Sequence, residues 1–111
     1  MDDNTATALL EAEWTRVRAL LDDVDRAALL DRDGASEQGD MSDPAESLVN
    51  EGEEEAVAAS LRARLSAVER AQQRLREGTY GQSVRSGLAI SDERLAADPA
   101  AELTVDEALE P

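Results

Sequence analysis

The chain has 111 residues, a third of them charged and 2% aromatic, with a formal net charge of −15 and neither cysteine nor histidine. A chain without thiol or imidazole has no disulfide, no thiolate nucleophile, no imidazole base and no Cys/His zinc site. The length suits one domain, the Ala-, Leu-, Glu- and Arg-rich composition suits long helices, and the excess of acid makes nucleic acid phosphates a poor direct partner.

The opening "MDDNTATALLEAEW" is acidic, unlike a signal peptide, and no apolar run approaches the ~20 residues of a membrane span, so a cytoplasmic protein without membrane contact is expected. Leu10, Trp14, Val17, Leu21, Val24 and Ala28 then fall at alternating spacings of four and three, a heptad seam. Thr5 or Asn4 is placed to cap this helix, and "DRDG" at 31–34 is a stop signal, so the spacing predicts a helix over about 5–31. "GASEQGDMSDP" has loop chemistry and predicts a turn over about 32–43.

A second helix is predicted over about 44–77. Its seam runs through Ala58, Leu61, Leu65, Val68 and Leu75, interrupted by Gln72, and Gly78 suits a left-handed cap beyond its end. Neither amphipathic helix buries its stripe alone. The economical fold is mainly α, an antiparallel two-helix coiled-coil hairpin over 1–77. Residues 78–111 then form a small appended module. In it "SDERLAAD" and "TVDEALEP" read as short capped helices, the second opened by a Thr104-x-x-Glu107 capping box. Its candidate apolar core is Tyr80, Leu88, Ile90, Leu95, Leu103, Val105 and Leu109.

Charge is unevenly spread. Residues 1–30 are net −4, residues 31–55 net −9, residues 56–91 net +4 and residues 92–111 net −6. The arginines of 62–85 are the one basic stretch, read either as a solvated helix face or as a cationic surface. Carboxylate pairs such as Glu51/Glu55 share a helical face, but a diiron bundle also needs histidine. Phosphate loops, nucleophile elbows and dinucleotide fingerprints are all missing, so no enzyme is expected.

"EGTYGQSVRSGLAISDERLAADPAAELTVDE", residues 77–107, carries Gly78, Tyr80, Gly81, Gly87, Ile90, Arg94, Leu95, Ala97, Pro99, Ala101 and Leu103 in an ungapped register. This pattern resembles the C-terminal C4-type zinc finger of the DksA/TraR (DnaK suppressor) family, bacterial proteins that act on RNA polymerase. The family's four ligand cysteines fall on Ser83, Ser86, Thr104 and Glu107, with 17 residues between the second and third positions as the family has them. Hydroxyls do not ionise near neutral pH and one carboxylate does not replace four thiolates, so zinc and other cofactors are not expected here. The finger frame itself, Tyr80, Gly81, Gly87, Ile90, Arg94, Leu95, Pro99 and Leu103, is expected to persist by packing and by the Thr104/Glu107 cap.

The resemblance extends more loosely over residues 8–109 and implies the rest of the reading. In the family a coiled coil enters the secondary channel of RNA polymerase with an acidic tip of pattern Asp-Pro-x-Asp-x-Ala. Here "DPAESL" supplies Asp43, Pro44, Glu46 and Leu48. Glu46 keeps the charge one methylene further out, and Leu48 replaces the small residue. Asp, Pro and Glu in this order also make an ordinary helix start, and the acids of 51–55 are also explicable as a solvated run. A stem of about 25 residues per helix reaches ~37 Å. The resemblance therefore implies a metal-independent transcription modulator, a monomer partnered by RNA polymerase and possessing no direct nucleic-acid site, with a role of the stress-response kind. The alternative is a helical interaction module in which the seam pairs with another copy of the chain or another coiled coil and the tip is only a turn.

Overall fold

A computed structural model describes the backbone of residues 1–38 and 44–110, and the side chains of residues 1–30 and 52–110. The protein is mainly helical, and among the described residues there is no β-strand. Four helices follow one another: α1 (Asp3–Gln38), α2 (Pro44–Glu77), α3 (Asp92–Ala97) and α4 (Val105–Leu109). α1 and α2 are 36 and 34 residues long and pack together. No described helix is long and apolar enough to cross a membrane.

The helix ends follow from local chemistry. Asp2, rather than Asn4 or Thr5, opens α1, because its carboxylate accepts from the Thr5 amide over 2.7 Å and its carbonyl accepts from Ala6 over 3.0 Å. α1 continues past the predicted stop at 31 to Gln38. A single glycine inside a helix costs only about 1 kcal/mol, so Gly34 alone does not end it. α2 starts with Pro44 at its first position, where the missing amide costs no hydrogen bond. It closes with Gly78 at φ 81°. Thr79 N–H bonds the Arg74 carbonyl over 2.9 Å and Gly78 N–H bonds that of Leu75 over 3.3 Å, the paired bonds of a Schellman cap.

The chain divides into two compact units. One comprises Met1–Thr15 with Leu65–Pro111, the other Arg16–Arg64. In the second unit Val17, Leu21 and Ala58 are buried, and Arg62 reaches Asp25 over 3.2 Å. In the first, Leu10, Val68, Ala71 and Ala100 form one apolar cluster, and Ile90, Leu95 and Ala101 form another. Tyr80 packs against both. The start of α1 and the end of α2 thus share a core with the residues beyond Gly78.

Two expectations about the core change. Trp14 stays 38% exposed, although it sits on the predicted seam, and Ala6 and Ala71 are fully buried instead. Indole is too large to be fully buried in many settings, whereas alanine permits close helix approach. In the C-terminal segment Leu88, Val105 and Leu109 are exposed, while Pro99, Ala100 and Ala101 are buried. The turn after α3 explains this. Ala101 N–H bonds the Asp98 carbonyl over 3.0 Å and Ala100 N–H bonds the Asp98 carboxylate over 3.2 Å, which carries these small residues inward.

Candidate functional site

Two places are candidates, the tip segment and the cluster of residues 83, 86, 104 and 107. Of the tip residues, Asp43 lies outside the described residues, as do the side chains of Glu46 and Leu48; the backbone of both belongs to the start of α2. In the acidic run that follows, Glu53 and Glu55 are exposed and Glu54 is half-buried.

The second place is built by a tight reversal of the chain after α2. Gly81 and Gly87 have φ of 84° and 77°, a left-handed backbone that side chains with a Cβ adopt only at a cost. Between them Ser83 N–H bonds the Leu88 carbonyl over 2.8 Å and Gly87 N–H bonds the Ser83 carbonyl over 2.9 Å. Gln82 and Ala89 form an isolated antiparallel bridge, and Ile90 N–H closes on the Gly81 carbonyl over 2.8 Å. Val84 N–H then bonds the Glu102 carbonyl over 2.9 Å, which ties this reversal to the segment ahead of α4.

The expected frame residues occupy distinct places around it. Ile90, Leu95 and Pro99 are buried. The Tyr80 hydroxyl donates to the Pro99 carbonyl over 2.8 Å, and burial raises the Tyr80 pKa above its ordinary value. Arg94 Nε donates to the Leu103 carbonyl over 2.7 Å, which fixes the chain immediately before α4. Ser91 caps α3 by accepting from Arg94 N–H over 3.2 Å.

Of residues 83, 86, 104 and 107, the last two pair directly. Thr104 N–H donates to the Glu107 carboxylate over 3.0 Å, and Glu107 N–H donates to the Thr104 hydroxyl over 3.2 Å, a complete capping box. The Ser83 hydroxyl accepts from the Arg85 and Ser86 amides over 3.1 and 3.2 Å, and the Ser86 hydroxyl accepts from the Leu88 amide over 3.2 Å. The Thr104 amide, with the hydroxyls of Ser83, Ser86 and Thr104, lowers the Glu107 pKa from 4.5 to about 2, against the opposing effect of burial. One carboxylate and three hydroxyls do not suit zinc, which takes thiolate, imidazole and carboxylate ligands in tetrahedral sets. Among the described residues no group of three or more Asp, Glu, Cys or His side chains is placed to hold a metal.

Sequence reasoning missed the role of Glu102. Its Oε1 accepts from Arg70 Nε over 2.8 Å and lies 3.6 Å from an Arg74 guanidinium nitrogen. Arg85 likewise reaches the Glu107 carbonyl over 3.5 Å and the Glu110 carboxylate over 3.4 Å. Much of the basic stretch at 62–85 is therefore paired with the chain's own acids. The arginine spacing of four on α2 was visible, but its acidic partner lies far along the sequence. No family model, no curated protein and no solved structure matches this chain.

Proposed function

We propose that this protein is a metal-independent modulator of transcription of the DksA/TraR kind, which binds RNA polymerase through the secondary channel with an acidic tip at Asp43, Glu46 and Leu48. The observation that carries the reading is the tie of the reversal after α2 to the segment at α4, through Val84 N–H on the Glu102 carbonyl over 2.9 Å and Arg85 on the Glu107 carbonyl over 3.5 Å. The resemblance assigns residues 83, 86, 104 and 107 to one ligand cluster on spacing alone, and these bonds tie the segment of the first two to that of the last two, where Thr104 and Glu107 close a capping box. The left-handed Gly78, Gly81 and Gly87 support the same frame. The hairpin in this reading is supported by Leu10 clustering with Val68 and Ala71 and by Asp25 pairing with Arg62, since the partner on α2 comes earlier in the chain as the residue on α1 comes later.

The chemistry of the tip favours a cationic, metal-bearing cleft. Residues 31–55 are net −9, and carboxylates on a long stem interact with a divalent ion or repel other anions there. The internal pairing of Arg62, Arg70, Arg74 and Arg85 supports a protein partner over direct nucleic-acid contact. No catalytic role is proposed.

A second reading, a helical interaction module, is favoured by Leu20, Leu29, Leu30 and Val57, which are each at least 41% exposed. Binding to core RNA polymerase, with and without a competitor occupying the secondary channel, separates the two. Competitive binding at ~1 μM or tighter, equivalent to about −8 kcal/mol, is the expected result. A folded chain that binds no polymerase leaves the interaction-module reading in place.

A further inference from the structure

Half of the large apolar side chains between residues 78 and 110 lie outside. Ile90 and Leu95 are buried and Tyr80 and Leu103 half-buried, whereas Val84, Leu88, Val105 and Leu109 are 57%, 63%, 49% and 78% exposed. A surface helix ordinarily buries its apolar stripe, and α4 does the reverse. The capping box draws Glu107 inward, to 8% exposure. Val105 and Leu109 stand two positions to either side of it, roughly 160° round the helix, and so face solvent together with Ala108. The reversal that carries Val84 and Leu88 adjoins α4, since Arg85 reaches the Glu107 carbonyl over 3.5 Å and the Glu110 carboxylate over 3.4 Å.

We propose that α4 and the adjoining reversal form a docking surface for a cationic amphipathic helix of another protein, which lays its apolar stripe on Val105 and Leu109. Charge selects this occupant. Residues 92–111 are net −6, and Asp106 and Glu110 are exposed on α4 itself. The two arginines of 78–110 are engaged within the chain, Arg85 by Glu110 and Arg94 by the Leu103 carbonyl. A second copy of the chain brings the same net charge of −15 and is repelled, as is nucleic acid phosphate. A helix with lysine or arginine beside a leucine stripe meets both the apolar face and its acidic rim. The surface uses neither the tip at 43–48 nor any residue of the second compact unit, so it is separate from the proposed polymerase contact.

Titration of the isotope-labelled full chain with a synthetic helical peptide, leucine on one face and lysine on the other, tests this. A peptide with glutamate at each lysine position is the charge control. With the lysine peptide, amide shifts are expected to saturate and to map to residues 84–88 and 105–110, and the glutamate peptide is expected to leave them in place. Val105→Ser with Leu109→Ser keeps every charge and removes the apolar face, and is expected to weaken binding by ~tenfold or more. The tip variant Asp43→Asn with Glu46→Gln is expected to bind the peptide as the native chain does, so failure of the polymerase reading leaves this result intact.

Shifts that map to α1 and α2 instead would overturn the proposal, as would undiminished binding by V105S/L109S, because either result shows charge alone at work. Equal binding of the glutamate peptide, or no binding of either peptide, counts against it in the same way. Sedimentation of the native chain tests the rival occupant, and a monomer is expected. A dimer that dissociates in V105S/L109S would assign the face to a second copy and sink the proposal. If the double variant does not fold, the shift map of the native chain decides.

Discussion

The Tyr80 hydroxyl donates to the Pro99 carbonyl over 2.8 Å while the ring packs against both apolar clusters of its compact unit. Tyr80 thus joins the ends of α1 and α2 to the residues around Ile90 and Leu95. Because the bond is partly buried, removing it leaves the Pro99 carbonyl short of a donor. Tyr80→Phe is expected to cost about 1 kcal/mol and to lower the melting temperature by about 4 °C. Tyr80→Ala removes the shared ring as well and is expected to cost about 3 kcal/mol. Thermal and urea unfolding of the variants measure both, and a neutral Tyr80→Ala would show that the two clusters do not depend on one another.

Acid weakens the fold through Glu107. Its folded pKa of about 2 lies below the ordinary 4.5, so the unfolded state takes up the proton first as pH falls. The contribution is complete above pH 4.5 and is lost progressively as pH falls from 4.5 toward about 2. Asp2, lowered by its bond from the Thr5 amide, acts in the same direction. Melting temperatures of the native chain and of E107Q, followed into acid, are expected to converge. A gap that stays constant with pH argues against an ionised Glu107.

Gly81 and Gly87 make separable demands. A Cβ at Gly81 would lie 3.6 Å from Leu95 Cδ1, an ordinary contact, and a Cβ at Gly87 meets nothing within 4 Å. The cost of alanine at either position is therefore that of the left-handed backbone, about 1–2 kcal/mol. Chemical denaturation of the two single variants is expected to give similar losses of that size, with the sum recovered in the double variant if the sites are independent.

The finger frame has its own test. If positions 83, 86, 104 and 107 are arranged as a four-ligand cluster, the variant carrying S83C, T104C, S86C and E107C binds one zinc ion per chain. Structural zinc in small fingers is worth ~10–16 kcal/mol of apparent binding energy, so its melting temperature should rise steeply with zinc and fall again on chelation. A quadruple variant indifferent to zinc would mean that these side chains meet without a finger's geometry.

Asp43→Asn with Glu46→Gln probes the tip. Both replacements keep shape and remove charge, and a change of stability within about 0.5 kcal/mol is expected. Under the proposed function this double variant loses its effect on transcription in vitro while its helical content is unchanged. Retained activity would move attention from the tip to the exposed apolar residues of the second unit.

Much of the local structure was legible in the sequence because its causes are local. A capping box needs only Thr104 and Glu107 three residues apart, and a Schellman cap needs only Gly78 just past a helical run. The heptad spacing likewise marked Leu10, Val17, Leu21, Leu65 and Val68, all of them buried. α1 runs past the stop signal at Gly34 because one glycine carries only a small penalty against a long helix.

What only the tertiary structure decided was which residues come together across the chain. Leu88, Val105 and Leu109 are as apolar as Ile90 and Leu95, yet only the latter pair is inside, because the turn at Asp98 fills the interior with Pro99, Ala100 and Ala101. Glu102 gave no local sign that it would face Arg70 and Arg74. In the same way composition excluded a thiolate zinc site, but only the folded chain brings the Arg85 guanidinium to the Glu107 carbonyl. Caps and periodicity depend on neighbours a few residues apart. Burial and charge pairing depend on distances that the folded backbone alone sets.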